Sequence, residues 1–229
     1  MKSVLASIQP KYCELISNGS KTIEVRKNRP KLGTPFKCYI YCTKGKSTLY
    51  SCNKIIQPLN KFNLNYKQNN GPIDEANGKV IGEFVCDNID FFDSDFDEWA
   101  NNVAPVGSQI DSMGWDKFIK IIHNQACISD NELNDYFPED IKAYLWHISD
   151  LKIYDRPKEL REFKEFSYCG KCKNLISPLA HKPLSECDKY CSKYKTNLNY
   201  YDGTLRCIEC LKKIRPPQSW QYIESLEDK

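Results

Sequence analysis

Two groups of residues in this 229-residue chain have the types and spacing to do chemistry. The first is Lys21, Thr22, Glu24 and Arg26, in the stretch Gly19-Ser20-Lys21-Thr22-Ile23-Glu24-Val25-Arg26-Lys27. The two cations can engage phosphate, and the carboxylate between them can accept a hydrogen bond from a base amine or a 2′-hydroxyl. The same set could catalyse, with a lysine lowering the pKa of a neighbouring hydroxyl or water. Glu24 and Arg26 could also be a structural ion pair and nothing more.

The second group is the tail. Cys169 and Cys172 form one C-x2-C knuckle and Cys207 and Cys210 another, separated by 34 residues, 173 to 206. Four thiolates give the tetrahedral field that structural zinc prefers, and this is zinc-ribbon spacing. Cys187 and Cys191 lie between the knuckles; they could replace one ligand pair or join His181 in a second site. No motif supplies the open position and the acid or base that a catalytic zinc needs. Metal here would provide folding energy that the thin apolar content of the segment cannot. An iron–sulfur cluster and unmetallated thiols are the alternatives.

Around these groups, the chain reads as short strands with helices to one side. Val4–Ile8 is a strand, and Pro10 opens a helix over Lys11–Asn18 with Tyr12, Leu15 and Ile16 facing the core; Gly19 stops it. The next strand alternates, with Ile23 and Val25 inward and Thr22, Glu24 and Arg26 displayed on the other face. Phe36–Thr43 and Lys79–Cys86 are further strands, and Gly82 inside the second marks a bulge or a close backbone approach. Residues 44 to 78 read as a hairpin or long loop, and the acidic run through Trp99 as an exposed excursion. Trp115–Ala126 has helical spacing at Trp115, Phe118, Ile119 and Ile122. Ser129-Asp130-Asn131-Glu132 is a capping box opening another short helix. Ala143–Ile153 closes the sheet as two linked strands or one bent strand. No regular βαβ period appears, so the fold class is α+β, not parallel α/β.

Charge is segregated. Residues 1 to 54 carry eleven cations, Lys11, Lys27, Arg29 and Lys31 among them, against Glu14 and Glu24, a net +9; residues 83 to 101 carry seven acids and no cation. A basic patch set apart from an acidic one suits a polyanion binder, although solvated surface lysines give the same count. No run approaches the ~18 apolar residues of a membrane span, and the apolar part of the N-terminus is short for a signal peptide. A cytoplasmic protein is expected, with its paired cysteines holding metal and not disulfides. Cys13, Cys38, Cys42, Cys52, Cys86 and Cys127 are scattered like small core residues.

The spelling Gly-x-Lys-x-x-Glu-x-Arg resembles the signature of the ASCH domain family, a branch of the PUA-like RNA-binding β-barrels. Val4-Leu5-Ala6-Ser7-Ile8-Gln9-Pro10-Lys11 resembles that family's first strand and helix start, and Ala143-Tyr144-Leu145-Trp146-His147-Ile148 its closing strand. The likeness covers roughly residues 1 to 160, and the Cys-rich tail resembles the extension of some phage-type members. The resemblance implies a small PUA-like β-barrel with flanking helices over residues 1–165 and a zinc-ribbon-like module over 166–229, in a phage or bacterial setting.

It also implies RNA or a modified nucleoside as ligand, with Lys11, Lys21, Thr22, Glu24, Arg26, Lys27, Arg29 and Trp146 around the cleft. One branch of the family hydrolyses N4-acetylcytidine, which makes Lys21 and Glu24 catalytic candidates. There a lysine at the position of Lys21 works with a threonine three residues later, and this chain has Glu24 in that place. A third reading is a mobile-element protein that binds a host protein. Trp146 either stacks on a base or sits in the core, and His147 alternates to the opposite face. In Arg215-Pro216-Pro217-Gln218-Ser219-Trp220-Gln221-Tyr222 the two aromatics either dock the segment or form a platform for single strands.

Overall fold

Thirteen strands and three α-helices are defined in the computed structural model, which describes residues 2–62, 72–94, 114–163, 198–201, 204–207 and 216–226. Strand β1 (Lys2–Ile8) runs into helix α1 (Pro10–Ser17), with proline in the first turn where its missing N–H costs nothing. Pro10, Cys13 and Ile16 are its buried positions, a shift of the core face from the expected Tyr12, Leu15 and Ile16. Gly19 adopts φ +80° and ends the helix, a conformation glycine takes without a Cβ penalty. The signature strand β2 (Ile23–Arg26) follows, then β3 (Phe36–Cys42).

The stretch expected to be a loop or hairpin contains a small sheet of its own: β4 (Tyr50–Cys52), β5 (Ile55–Gln57) and β6 (Asp74–Glu75). Strand β7 (Val80–Cys86) comes next, and β8 (Ile89–Asp93) makes the start of the acidic run a paired strand and not an excursion. Helix α2 (Trp115–Asn124) buries Phe118, Ile121 and Ile122, while Trp115 stays exposed. Helix α3 (Asp130–Tyr136) has its capping box intact: the Ser129 hydroxyl accepts from the Glu132 N–H, and the Glu132 carboxylate accepts from the Ser129 N–H.

Strands β9 (Lys142–His147) and β10 (Ser149–Lys158) are one bent run that passes from one sheet to another. The bend is made by Ile148, whose N–H donates to Thr22 O, and by Asp150 at φ +46°. The remaining strands are β11 (Leu198–Tyr201), β12 (Thr204–Cys207) and β13 (Trp220–Glu224).

The strands form four sheets: β10-β7-β3-β1-β13, β2-β9-β8, β5-β4-β6 and β11-β12. This corrects the barrel expectation: the architecture is α+β, but among the described residues no sheet closes on itself. β1 and β3 run parallel, whereas β10–β7, β3–β7, β2–β9, β8–β9, β4–β5, β4–β6 and β11–β12 are antiparallel. Gly82 is the close approach its position predicts. A Cβ there would stand 2.5 Å from Lys152 O, so β7 and β10 can meet only at glycine.

The chain divides into two units, one made of Val4–Glu159 with Pro216–Gln221. The other takes the remainder, within which the β11–β12 hairpin is described. In the first unit, one face of β2-β9-β8 (Ile23, Val25, Ala143, Leu145, Phe92) packs on Phe118, Ile122, Leu133 and Phe137 of α2, α3 and their flanks. Each such side chain contributes about 1.5–3 kcal/mol by leaving water. The opposite face meets β1 and β3, and the candidate site lies there.

Candidate functional site

Ladder register decides what β2 presents. Ile23 pairs with His147, Glu24 with Trp146, Val25 with Leu145 and Arg26 with Tyr144. Since paired residues share a face, Glu24, Arg26 and Trp146 point together, away from the helical core. That second face is buried too: Glu24 is 7% exposed, Arg26 5% and Trp146 0%. The strand therefore does not display a polar face to solvent, and of Lys21, Thr22, Glu24 and Arg26 it is Thr22, just before the strand, that is exposed.

The three charged residues are tied to one another and to the backbone. Glu24 Oε1 accepts from Arg26 at 2.9 Å, and its Oε2 lies 3.4 Å from the Lys21 ammonium. Lys21 Nζ donates to Ala126 O at 2.8 Å and sits 4.8 Å from the Tyr12 ring centroid. The Arg26 guanidinium donates to Ser7 O at 2.8 Å and to Ser219 O and Oγ at 3.2 Å. Two cations thus share one carboxylate in a dry setting. Burial lowers the Lys21 pKa, with Glu24 opposing that shift. Arg26 Nε and Trp146 Nε1 are buried donors with no partner among the described residues.

Tyr12 covers this cluster. Its hydroxyl donates to Glu132 Oε1 at 3.1 Å, and burial together with Glu132 raises its pKa. The exposed Lys11 reaches the same oxygen at 2.6 Å, and this bond holds the Glu132 carboxyl down to about 2. Lys11 is therefore part of a surface ion pair, not of the interior cluster.

Trp146 packs edge-on against Phe36, centroids 5.7 Å apart, and under Trp220 at 6.1 Å and 59°. It is a core residue in this state. His147 lies on the other face, as alternation requires, 2.8 Å from Asp90 Oδ2.

The exposed cations are on the loop after β2. Lys27 lies over the Tyr136 and Phe137 rings at 5.0 and 5.5 Å. Beyond it, an open pocket of about 590 Å³ is lined by Arg29, Lys31, Gly33 and Thr34 from the loop and by Asn88 and Ile89 across from them. Arg29 has no hydrogen-bond or ion-pair partner among the described residues. Ile89, which lines the pocket, is the ladder partner of Trp146 between β8 and β9.

Sequence reasoning did not reach Tyr12, Ser7, Ala126, Glu132, Asn88 or Ser219, which complete the site. Their contacts join distant parts of the chain, 193 residues apart for Arg26 and Ser219 and 210 for Ser7 and Pro217, and no local spacing encodes them. The thiol ligand expectation falls elsewhere. Cys169, Cys172, Cys187, Cys191 and Cys210 lie outside the described residues, and of Cys207 only the backbone, in β12, is described. Among the described residues no cluster of His, Cys, Asp or Glu is arranged to hold a metal ion. No described helix is long and apolar enough to cross a membrane.

Among solved structures, the chain is similar to ASCH from Zymomonas mobilis, with a TM-score of 0.47 at 16% identity over 97% of this chain and 87% of that one. Two variants of that protein give TM-scores of 0.45 at 16% identity and 0.42 at 17% identity. They cover 97% and 78% of this chain and 88% and 86% of theirs, respectively. No family model matches the sequence, and no curated protein does.

Proposed function

We propose that the protein binds RNA, or a modified nucleoside within it, through the loop after β2 and the pocket that loop forms. One observation carries this reading. The signature residues Lys21, Glu24 and Arg26 spend their charge on each other inside the fold, whereas Lys27 and Arg29 are exposed, and Arg29 and Lys31 line an open pocket of about 590 Å³. The buried cluster fixes where β2 ends, and so where the loop begins. The loop cations supply the attraction, which for a polyanion comes from released counterions and weakens with salt. Titrating binding of a single-stranded RNA across ionic strength tests the reading: affinity falls steeply as salt rises, and a flat response contradicts it.

A hydrolase acting on a modified base is the second reading. Burial lowers the pKa of Lys21 beside Glu24, and a lysine shifted that way is suited to proton transfer. In the described conformation, however, Lys21 is 2% exposed and Tyr12 lies over it. Turnover would require Tyr12 to move.

A further inference from the structure

Three groups are described around the Lys21 ammonium: Glu24 Oε2 at 3.4 Å, Ala126 O at 2.8 Å and the Tyr12 ring, its centroid 4.8 Å away. Glu24 and Ala126 are buried, and of the three only Tyr12 is partly exposed. Tyr12 also packs against the helical core without being buried in it. The ring therefore stands between solvent and the buried cluster.

What holds the ring down comes from a distant part of the chain. The Tyr12 hydroxyl donates to Glu132 Oε1 at 3.1 Å across 120 residues, and Lys11 Nζ donates to the same oxygen at 2.6 Å. The hydroxyl has no other hydrogen-bond partner among the described residues. The second carboxylate oxygen, Oε2, accepts from Ser129 N at 3.1 Å and from Ser129 Oγ at 2.8 Å. One carboxylate thus does two jobs: Oε2 caps α3, and Oε1 ties α1 to it. We propose that Tyr12 is a latched cover over Lys21, and that its hydrogen bond to Glu132 sets how often this amine opens to small molecules. Losing that bond shifts the balance between closed and open forms without touching the cap of α3. The inference concerns access to the cluster, so it goes beyond the RNA-binding reading and does not depend on it.

The test reads that access chemically, by acetylating the full chain with sulfosuccinimidyl acetate and following each lysine by peptide mass spectrometry. The Lys21 nitrogen forms the amide N–C bond as the ester C–O bond breaks; the hydroxysuccinimide leaves and the displaced proton passes to water. The exposed Lys54 serves as the reference rate within each variant. Tyr12→Phe keeps the ring and removes the latch, and Glu132→Ala breaks the same bond from the other side. Ser129→Ala weakens the cap and leaves the latch in place. Wild-type Lys21 should react far more slowly than Lys54. Tyr12→Phe and Glu132→Ala should each speed Lys21 acetylation by roughly 10-fold, the population shift expected from losing one hydrogen bond to a charged group, while Ser129→Ala changes it little. Wild-type Lys21 that reacts as fast as Lys54 overturns the cover. A folded Tyr12→Phe variant with the wild-type rate overturns the latch. An equal acceleration by Ser129→Ala does so too, since fraying of α3 would then account for the access.

Discussion

Glu24 and Trp146 are partners across the β2–β9 ladder, which puts a buried carboxylate and a fully buried indole on one face of the same sheet. The carboxylate is the counterion of both Lys21 and Arg26. Glu24→Ala leaves two buried cations without compensation, and removing one partner of a buried pair costs about 3–5 kcal/mol. Glu24→Gln keeps the shape and an acceptor oxygen, so it costs less. Urea unfolding of both variants measures this; an alanine variant within error of wild type would show that the cluster is wetter than the structure has it.

The pH dependence of stability has a local source in Glu132. Its carboxyl, ordinarily near 4.5, is held at about 2 by Lys11 and the capping box. The unfolded chain therefore binds this proton more readily, and the stabilisation is whole above pH 4.5 and drains as pH falls towards 2. The residue is partly exposed, so the effect is modest. Glu132→Gln is expected to flatten the stability curve in that window, read by thermal unfolding at graded pH. A variant whose curve parallels wild type through the window contradicts the assignment.

Much of this arrangement was legible in the chain and some could not be. The helix stop at Gly19 and the capping box at Ser129 follow from local chemistry, and the structure has both; for Gly82 the sequence leaves a bulge or a close approach and for 143–153 two strands or one bent strand, and the structure has a close approach at Gly82 and a bend after His147. Alternation in Ile23–Arg26 is equally clear, but period two says only that the faces differ. It cannot tell a solvent face from a second interior face lined by charge, and here the second face is covered by β1, β3 and Pro216–Gln221. Strands β4, β5 and β6 have two or three residues each, too few for any periodicity to show. Trp115 fits the helical spacing but lies exposed, with Ile121 taking the interior place instead.

The tail cysteines lead to a separate expectation. Two C-x2-C knuckles at this spacing should hold about one structural zinc per chain. Protein purified without chelators is expected to contain it by metal analysis, and chelation should unfold the tail. Zinc-free protein with an unchanged tail would contradict this.

Binder and hydrolase separate at Lys21. Lys21→Met keeps most of the stem packing and removes the ammonium. If the cluster only positions β2, RNA affinity changes little beyond any loss of stability, and no acylated or alkylated nucleoside is turned over by wild type. If the site is catalytic, wild type consumes a member of such a panel, and Lys21→Met and Glu24→Gln both abolish turnover while sparing binding.

The central claim is that the loop after β2, not the buried cluster, carries the attraction for RNA. Neutralising Lys27, Arg29 and Lys31 together tests it most directly. Each lost phosphate contact lowers the slope of log affinity against log salt by about 0.7 on a single strand, so the triple variant should lose roughly 2 units of slope. Its melting temperature should stay near that of wild type, since Lys27 and Arg29 are exposed and Lys31 lines the open pocket. A triple variant that folds normally and binds RNA with the wild-type slope would contradict the account.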